Sequence, residues 1–256
     1  MIVWALFDSG NGSYTKVVEK YFKDEIEIYP IGMDIENKNN HFINLDLADY
    51  SYLFGNNKMY DTLDKLPKPD LIIASPPCES WSVASAMRGG NACWKQEKGD
   101  SLFEPQVPLS KFTIRQYDDY LYEGCPFAFD KSLIKRINGE LTIFNTIEII
   151  KRYKPKYHII ENPAYGRMWD YIESVIGFDL TYDNFTYYGN YGTEYKKATK
   201  FASNVDLKLD DEKPSEMTNM KYIKWEGGRY NARSNIPEPL VKHIFEQILG
   251  VTTCDT

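Results

Sequence analysis

The sequence predicts an α/β protein built on a doubly wound, mostly parallel sheet. Short apolar runs rich in β-forming residues alternate with segments of helical periodicity, as in a parallel sheet covered by helices. Glycine-rich or acidic turns follow several of the predicted strands, and open α/β sheets bind ligands at the carboxyl ends of their strands. The 256 residues allow one large domain, or one domain with a small appendage.

In the first half of the chain, each predicted strand ends at residues that could take part in a ligand site. The first strand runs into a glycine turn at residues 8–13, after which apolar residues recur at helical spacing. The next two strands end at Asp34 and Asp46, and the fourth runs into Pro76–Pro77–Cys78, where the prolines forbid its continuation. These strands are predicted over residues 2–7, 27–33, 42–45 and 70–74.

The second half begins with a long insertion, residues 79–131, that has little periodicity and suggests an active-site loop with an excursion. Ser132 is predicted to cap a helix that Asn138–Gly139 could bend and that ends before Lys154–Pro155. An apolar strand then closes on Glu161–Asn162–Pro163. The remaining predicted elements are a helix over 166–176, strands over 179–188 and 198–203, an irregular stretch over 206–236 and a helix over 239–249.

The composition indicates a folded protein and excludes several classes. Hydrophobic residues make up 43% of the chain and charged residues 26%, and no apolar run approaches the length of a membrane span. We therefore expect a cytoplasmic protein with no membrane partner. Four widely spaced cysteines and scattered histidines predict no metal site, and nothing implies an oligomer. The net charge of -7 means that any nucleic acid must be bound by a local basic face.

The glycine turn and the acid that ends the second strand suggest a nucleoside cofactor. Asp34 follows Gly12 by about the offset at which a carboxylate can accept hydrogen bonds from ribose hydroxyls in a doubly wound sheet. Either feature also has a plainer interpretation, because the turn could be any sharp connection and Asp34 could be a solvated or capping residue.

A thiol and a carboxyl group end two buried strands. If the strands that precede Cys78 and Glu161 are neighbours, both side chains face one crevice. Such a pair suits attack of a thiolate on an electron-poor ring while the carboxylic acid protonates a ring nitrogen. The alternative for Cys78 is a small buried thiol with no chemical role. His158, in an apolar strand, is predicted to be a satisfied core histidine rather than a base.

The order and spacing of these motifs resemble the cytosine-C5 DNA methyltransferases of the compact bacterial or phage kind. The resemblance covers nearly the whole chain. Its first three motifs correspond to Leu6–Gly12, Gly32–Asp34 and Asp46, and its nucleophile motif to Pro77–Cys78. Later motifs correspond to Glu161–Pro163, to Tyr191–Gly192 with Lys197, Thr199 and Asn204, and to Arg233–Pro237.

The resemblance implies a Rossmann-like S-adenosylmethionine-dependent methyltransferase fold that acts on a flipped-out cytosine of double-stranded DNA. Cys78 would add to ring carbon C6, Glu161 would hold the ring nitrogen, and Lys197 would be the remaining catalytic group. S-adenosylmethionine would be bound by Phe7, Ser9, Gly10, Asn11, Gly12, Asp34, Ile35, Asp46, Leu47, Pro76 and Asn235.

The chain departs from the family pattern at three places. Phe7 and Asp8 are out of register ahead of the glycines, which leaves the role of Asp8 open. Lysines replace the arginines of the eighth motif, and lysine lacks the bidentate fork of arginine. The target-recognition region is short, so the predicted organisation is a catalytic core over 1–203, a reduced recognition region over 204–232 and a returning segment over 233–256.

The candidate DNA contacts come from two parts of the chain, the 79–131 insertion and the stretch within 219–236. The basic, aromatic stretch within 219–236 suits phosphate contact with stacking, although a solvated basic loop is an equal alternative. The predicted contacts are Ser80, Ser82, Arg88, Lys221, Lys224 and Arg229. Two other functions stay open: a catalytically degenerate relative that binds DNA or the cofactor, and a methyltransferase of RNA or single strands.

Overall fold

The protein forms a mixed seven-stranded α/β sheet with helices packed on it. A computed structural model describes residues 1–8, 12–33, 41–82, 94–95, 113–114, 129–215 and 235–254. The strands of the main sheet are β1 (Ile2–Leu6), β2 (Glu27–Gly32), β3 (Ile43–Asn44), β4 (Leu71–Ala74), β7 (Tyr157–Pro163), β8 (Tyr182–Tyr187) and β9 (Ala198–Ser203). A separate antiparallel pair consists of β5 (Trp94–Lys95) and β6 (Thr113–Ile114).

The helices are of uneven length. They are α1 (Ser13–Val17), α2 (Lys58–Leu63), α3 (Phe129–Tyr153), α4 (Met168–Tyr171) and α5 (Glu238–Cys254). Helix α1 continues as a π-helical turn to Phe22, and α4 continues as a π-helical turn to Ile176. Short 3-10 turns cover Ser51–Phe54 and Tyr188–Tyr191. Among the described residues, no helix combines the length and the hydropathy needed to cross a membrane.

The strand order is β3-β2-β1-β4-β7-β9-β8. The first five of these strands pair in parallel, whereas β9 is antiparallel to both β7 and β8. The chain winds outward from β1 to β2 and β3, and it then returns to place β4 on the other side of β1. The carboxyl ends of β1 and β4 therefore flank the position where winding reverses, which is where open α/β sheets form a ligand crevice.

Both faces of the sheet are buried, which explains the continuous apolar runs of the central strands. Val3 and Ala5 pack into one core with residues of α1 and α5, whereas Trp4 and Leu6 pack into the other core with residues of α3. Successive side chains of a strand point to opposite faces, so one short segment supplies both cores.

Several boundaries differ from the sequence prediction. Ser132 does not cap a helix, because α3 begins at Phe129 and Ser132 is buried within it. Helix α3 is also continuous across Asn138–Gly139, and α2 was not predicted at all. Strand β7 runs on through Pro163, because it pairs with β9 as far as Thr199.

His158 was predicted to be a satisfied core histidine, but it is only half-buried and its ring is not fully satisfied. Its backbone N–H donates to Asn204 Oδ1, and its ring packs 5.6 Å from the Phe178 ring. Within the described part of the chain, His158 Nε2 is buried with no hydrogen-bond partner. Burial lowers the pKa of His158 from 6.5 to about 4, so the ring is neutral at physiological pH.

Candidate active site

A cleft of about 670 Å³ opens at the carboxyl ends of β1, β4 and β7. Its volume lies within the usual range of small-molecule sites. The predicted site residues that line it are Phe7, Gly12, Asp46, Leu47, Pro76, Cys78, Glu161, Lys197 and Asn235. The predicted residues that fall outside the described part of the chain are Ser9, Gly10, Asn11, Asp34, Ile35, Arg88, Lys221, Lys224 and Arg229.

Asp8 anchors the turn that follows β1, a role that the sequence left open. Its buried carboxylate accepts the backbone N–H of Gly12 through Oδ1 and that of Thr15 through Oδ2, both at 3.1 Å. A Cβ atom added at Gly12 would lie 2.4 Å from Asp8 Oδ1. Glycine is therefore required at position 12 so that the start of α1 can close onto this carboxylate.

Phe7 turns the chain into the cleft. Its φ angle is 64°, in the left-handed region that side chains other than glycine rarely adopt, and its N–H donates to Ile31 O at 2.7 Å. Strain of this kind is kept where the surroundings fix the backbone, and it often occurs at ligand sites.

The loop after β3 is held by a residue that sequence reasoning missed. Asn145, fully buried on α3, donates from Nδ2 to the carbonyl oxygens of Leu47 and Asp49, both at 2.8 Å. Asp46 accepts the N–H of Ala48 in the same loop. The available signal was an amide among the apolar residues of the α3 pattern, since a buried amide needs partners.

The loop that carries Cys78 is tightly folded. The carbonyl of Cys78 accepts the N–H groups of Trp81 and Ser82, and Asn162 Nδ2 donates to Pro76 O at 2.8 Å. Asn162, next to Glu161, thereby ties the end of β4 to the end of β7.

The two serines of this loop differ in accessibility. Ser80 is buried and its hydroxyl donates to Lys135 O at 2.6 Å, whereas Ser82 is half-buried. In this conformation Ser80 packs the loop against α3, and it does not lie on a surface that DNA could contact.

Gly139 gives the Cys78 loop room to pack on α3. A Cβ atom there would lie 3.0 Å from both Cβ and Oγ of Ser80 and 3.2 Å from Trp81 Nε1. Alanine normally stabilises a helix interior by about 0.5–1 kcal/mol relative to glycine.

We expect Gly139→Ala to have the opposite effect, because the two neighbours are buried and overpacking costs about 1–3 kcal/mol. The melting temperature should fall by several degrees, as measured by calorimetry. Gly250→Ala in α5 is the control, since nothing lies within 4 Å of its added Cβ. An equal response of the two variants would contradict close packing at Gly139.

Cys78, Glu161 and Lys197 line the same cleft from three different elements. Burial raises the pKa of the Cys78 thiol, the Glu161 carboxylate raises it further, and the Lys197 ammonium lowers it. The thiol therefore rests protonated at neutral pH and becomes a nucleophile when its proton is removed.

The two charged neighbours predict opposite effects on the reactivity of the thiol. Alkylation of Cys78 by iodoacetamide should rise with pH through a midpoint above that of a free thiol such as glutathione. Glu161→Gln should lower the midpoint, because a negative charge is removed, and Lys197→Met should raise it. Peptide mass spectrometry localises the label, and shifts in the same direction for both variants would refute this electrostatic arrangement.

Lys197 is itself held in an uncommon conformation. Its φ angle is 22°, its carbonyl accepts the N–H of Tyr188 at 3.2 Å, and its ammonium lies 4.3 Å from the centre of the Tyr188 ring. Glu161 is buried, and its Oε1 accepts the hydroxyl of Tyr188 at 3.1 Å. Tyr188 is fully buried and was missed, because a tyrosine in an aromatic-rich sequence carries no distinctive signal.

The described part of the recognition region does not have the basic character expected of a DNA face. Residues 204–215 contain two lysines against four acidic residues. They form no regular element, and they pack on the sheet and on α5 through Leu207 N–H to Asn184 and Lys208 N–H to Gln247. DNA contacts predicted for this region therefore depend on residues after 215.

A scan against protein-family models finds no match to this chain, and a search of curated proteins finds no similar sequence. Over the residues that the structure describes, no three His, Cys, Asp or Glu side chains converge as a metal site would require.

Proposed function

We propose that the protein is an S-adenosylmethionine-dependent methyltransferase that modifies cytosine C5 in DNA. The observation that carries the proposal is the shared cleft, where a thiol, a carboxyl group and an ammonium group meet the glycine turn and the acidic loop after β3. The thiol and the carboxyl group supply a nucleophile and a proton donor, and the other two elements supply a place for a nucleoside.

The lining of the cleft fits S-adenosylmethionine. Asp46 offers a carboxylate to ribose hydroxyls, and Phe7, Leu45, Leu47 and Ile236 offer apolar surface to a purine ring. When bound, S-adenosylmethionine would supply an electrophilic methyl group to C5 of the base.

The residues of the chain account for the remaining steps. Cys78 Sγ gives up its proton to solvent and forms a bond to C6 of the flipped base. Glu161, a carboxylate in the free protein, takes up a proton from solvent and passes it to ring nitrogen N3 as that bond forms. After C5 has been methylated, its proton passes to solvent, and the electron pair left on C5 re-forms the C5–C6 double bond and expels the Sγ thiolate. The proton on N3 then returns to Glu161. Lys197 lies where its charge can favour the thiolate and bind the base oxygen.

The test is direct identification of the methylated nucleoside. The purified protein is incubated with labelled S-adenosylmethionine and with unmethylated duplex DNA, single-stranded DNA or RNA, and each product is digested and analysed by mass spectrometry. We expect 5-methylcytosine from duplex DNA. Methyl transfer to an exocyclic nitrogen, or to no substrate, would overturn the proposal, and transfer to RNA or single strands alone would change its substrate.

A further inference from the structure

Tyr188 contacts two of the three groups of the proposed site. It follows β8, is fully buried, and donates its hydroxyl to Glu161 Oε1 at 3.1 Å. Its ring lies under the Lys197 ammonium at 4.3 Å, and its N–H donates to Lys197 O at 3.2 Å. We infer that Tyr188 is a positioning residue that fixes the carboxyl group of Glu161 and the ammonium group of Lys197 toward the base.

The hydroxyl of Tyr188 determines which oxygen of Glu161 is available for proton transfer. Because Oε1 is already an acceptor for the phenol, the proton given to the ring nitrogen would reside on Oε2. Burial and the Glu161 charge raise the pKa of Tyr188 well above its ordinary value, so the phenol stays protonated and remains a donor. The hydroxyl of Thr199, which donates to Lys197 O at 3.3 Å, acts in the opposite direction and lowers the pKa of the phenol.

The ring of Tyr188 has a separate effect on Lys197. Lysine is flexible and lacks the planar fork of arginine, so it needs an external constraint to serve as a directional group. The cation–π contact and the hydrogen bond from the Tyr188 N–H both act on this residue, and they help to maintain its positive φ angle. The catalytic meaning of this arrangement rests on the proposed function.

Tyr188→Phe separates the two effects, because it removes the hydroxyl and keeps the ring. With duplex DNA, we expect kcat to fall at least tenfold, whereas the Kd for S-adenosylmethionine changes less than twofold. Adding Tyr188→Phe to Glu161→Gln should cause no further loss of kcat, because the effects of substituting two residues that act through one another are not additive.

Alkylation of Cys78 provides a readout that does not depend on activity. Tyr188→Phe should change the iodoacetamide rate at least twofold in the wild-type background and leave it unchanged in Glu161→Gln. Lys197→Met should change the rate by the same factor with tyrosine or phenylalanine at position 188. The inference would be overturned if Tyr188→Phe changed the alkylation rate equally in the wild-type and Glu161→Gln backgrounds, or changed it in neither.

A second variant covers the case in which Tyr188→Phe does not fold. Thr199→Val removes a hydroxyl that lowers the pKa of the phenol, and it should give a smaller change in the alkylation rate with the same dependence on Glu161. The two proposals can fail separately. If the wild-type protein methylates no cytosine but Cys78 shows the expected alkylation pattern, only the proposed methyltransferase activity is contradicted. If the wild-type protein methylates cytosine but the alkylation pattern is absent, only the role of Tyr188 is contradicted.

Discussion

Replacing Cys78 by alanine is expected to abolish methyl transfer while S-adenosylmethionine binds within a few-fold of its normal affinity. In the proposed mechanism the thiol meets the base and not the methyl donor, so its loss would remove the covalent step and leave the cofactor side of the cleft intact. Turnover is measured by methyl incorporation, and affinity is measured by calorimetry. Cys254→Ala is the matched control, since Cys254 is not among the residues proposed for the site and its substitution should retain activity.

The same nucleophile predicts a stable covalent product. Duplex DNA with 5-fluorocytosine at the target should trap the protein after methyl transfer, because no proton can then leave C5. The adduct should be visible as a slower band under denaturing conditions, and it should be absent with Cys78→Ala. Retained turnover in that variant would exclude the covalent mechanism.

Replacing Gly12 by alanine is expected to weaken S-adenosylmethionine binding by more than tenfold. The new Cβ would lie 2.4 Å from Asp8 Oδ1, which forces apart the carboxylate and the turn that it anchors. The hydrogen bonds from Gly12 and Thr15 to the Asp8 carboxylate hold this turn in place, and each bond to a charged group of this kind contributes about 1.5–3 kcal/mol. Their loss would displace the turn from the cofactor. Calorimetry on the free protein measures the affinity for S-adenosylmethionine, and Gly250→Ala serves as the control. Unchanged affinity in Gly12→Ala would mean that the cofactor binds elsewhere.

Local sequence signals located the sheet and its ligand edge well. Strands β1, β2, β4 and β9 lie close to their predicted positions. For β1 and β4 the reason is that a strand buried on both faces gives a short, continuous apolar run. Residues that end strands, such as Cys78 and Asp46, were placed at the cleft for the same reason, since the parallel topology brings those ends to one edge.

Contacts between distant segments could not be predicted in this way. Asp8, Asn145 and Tyr188 each act on a neighbour through one hydrogen bond or two, and the partner is known only once the chain is folded. Ser80 was predicted to contact DNA, but it is buried and its hydroxyl donates to Lys135 O in α3. The start of α3 was misjudged because Ser132 has the chemistry of a cap and is nevertheless buried inside the helix.

The reversed direction of β9 has a consequence for how the cleft can vary. In a parallel strand, only the residues that follow the strand lie at the edge of the sheet where the cleft opens. Each additional parallel strand also requires a long crossover connection. Because β9 runs the other way, residue 197 reaches the edge just before its strand begins, and the connection from β8 is a local turn of ten residues, 188–197. Substitutions or length changes in that turn can therefore alter the group that faces the cleft without rebuilding the sheet.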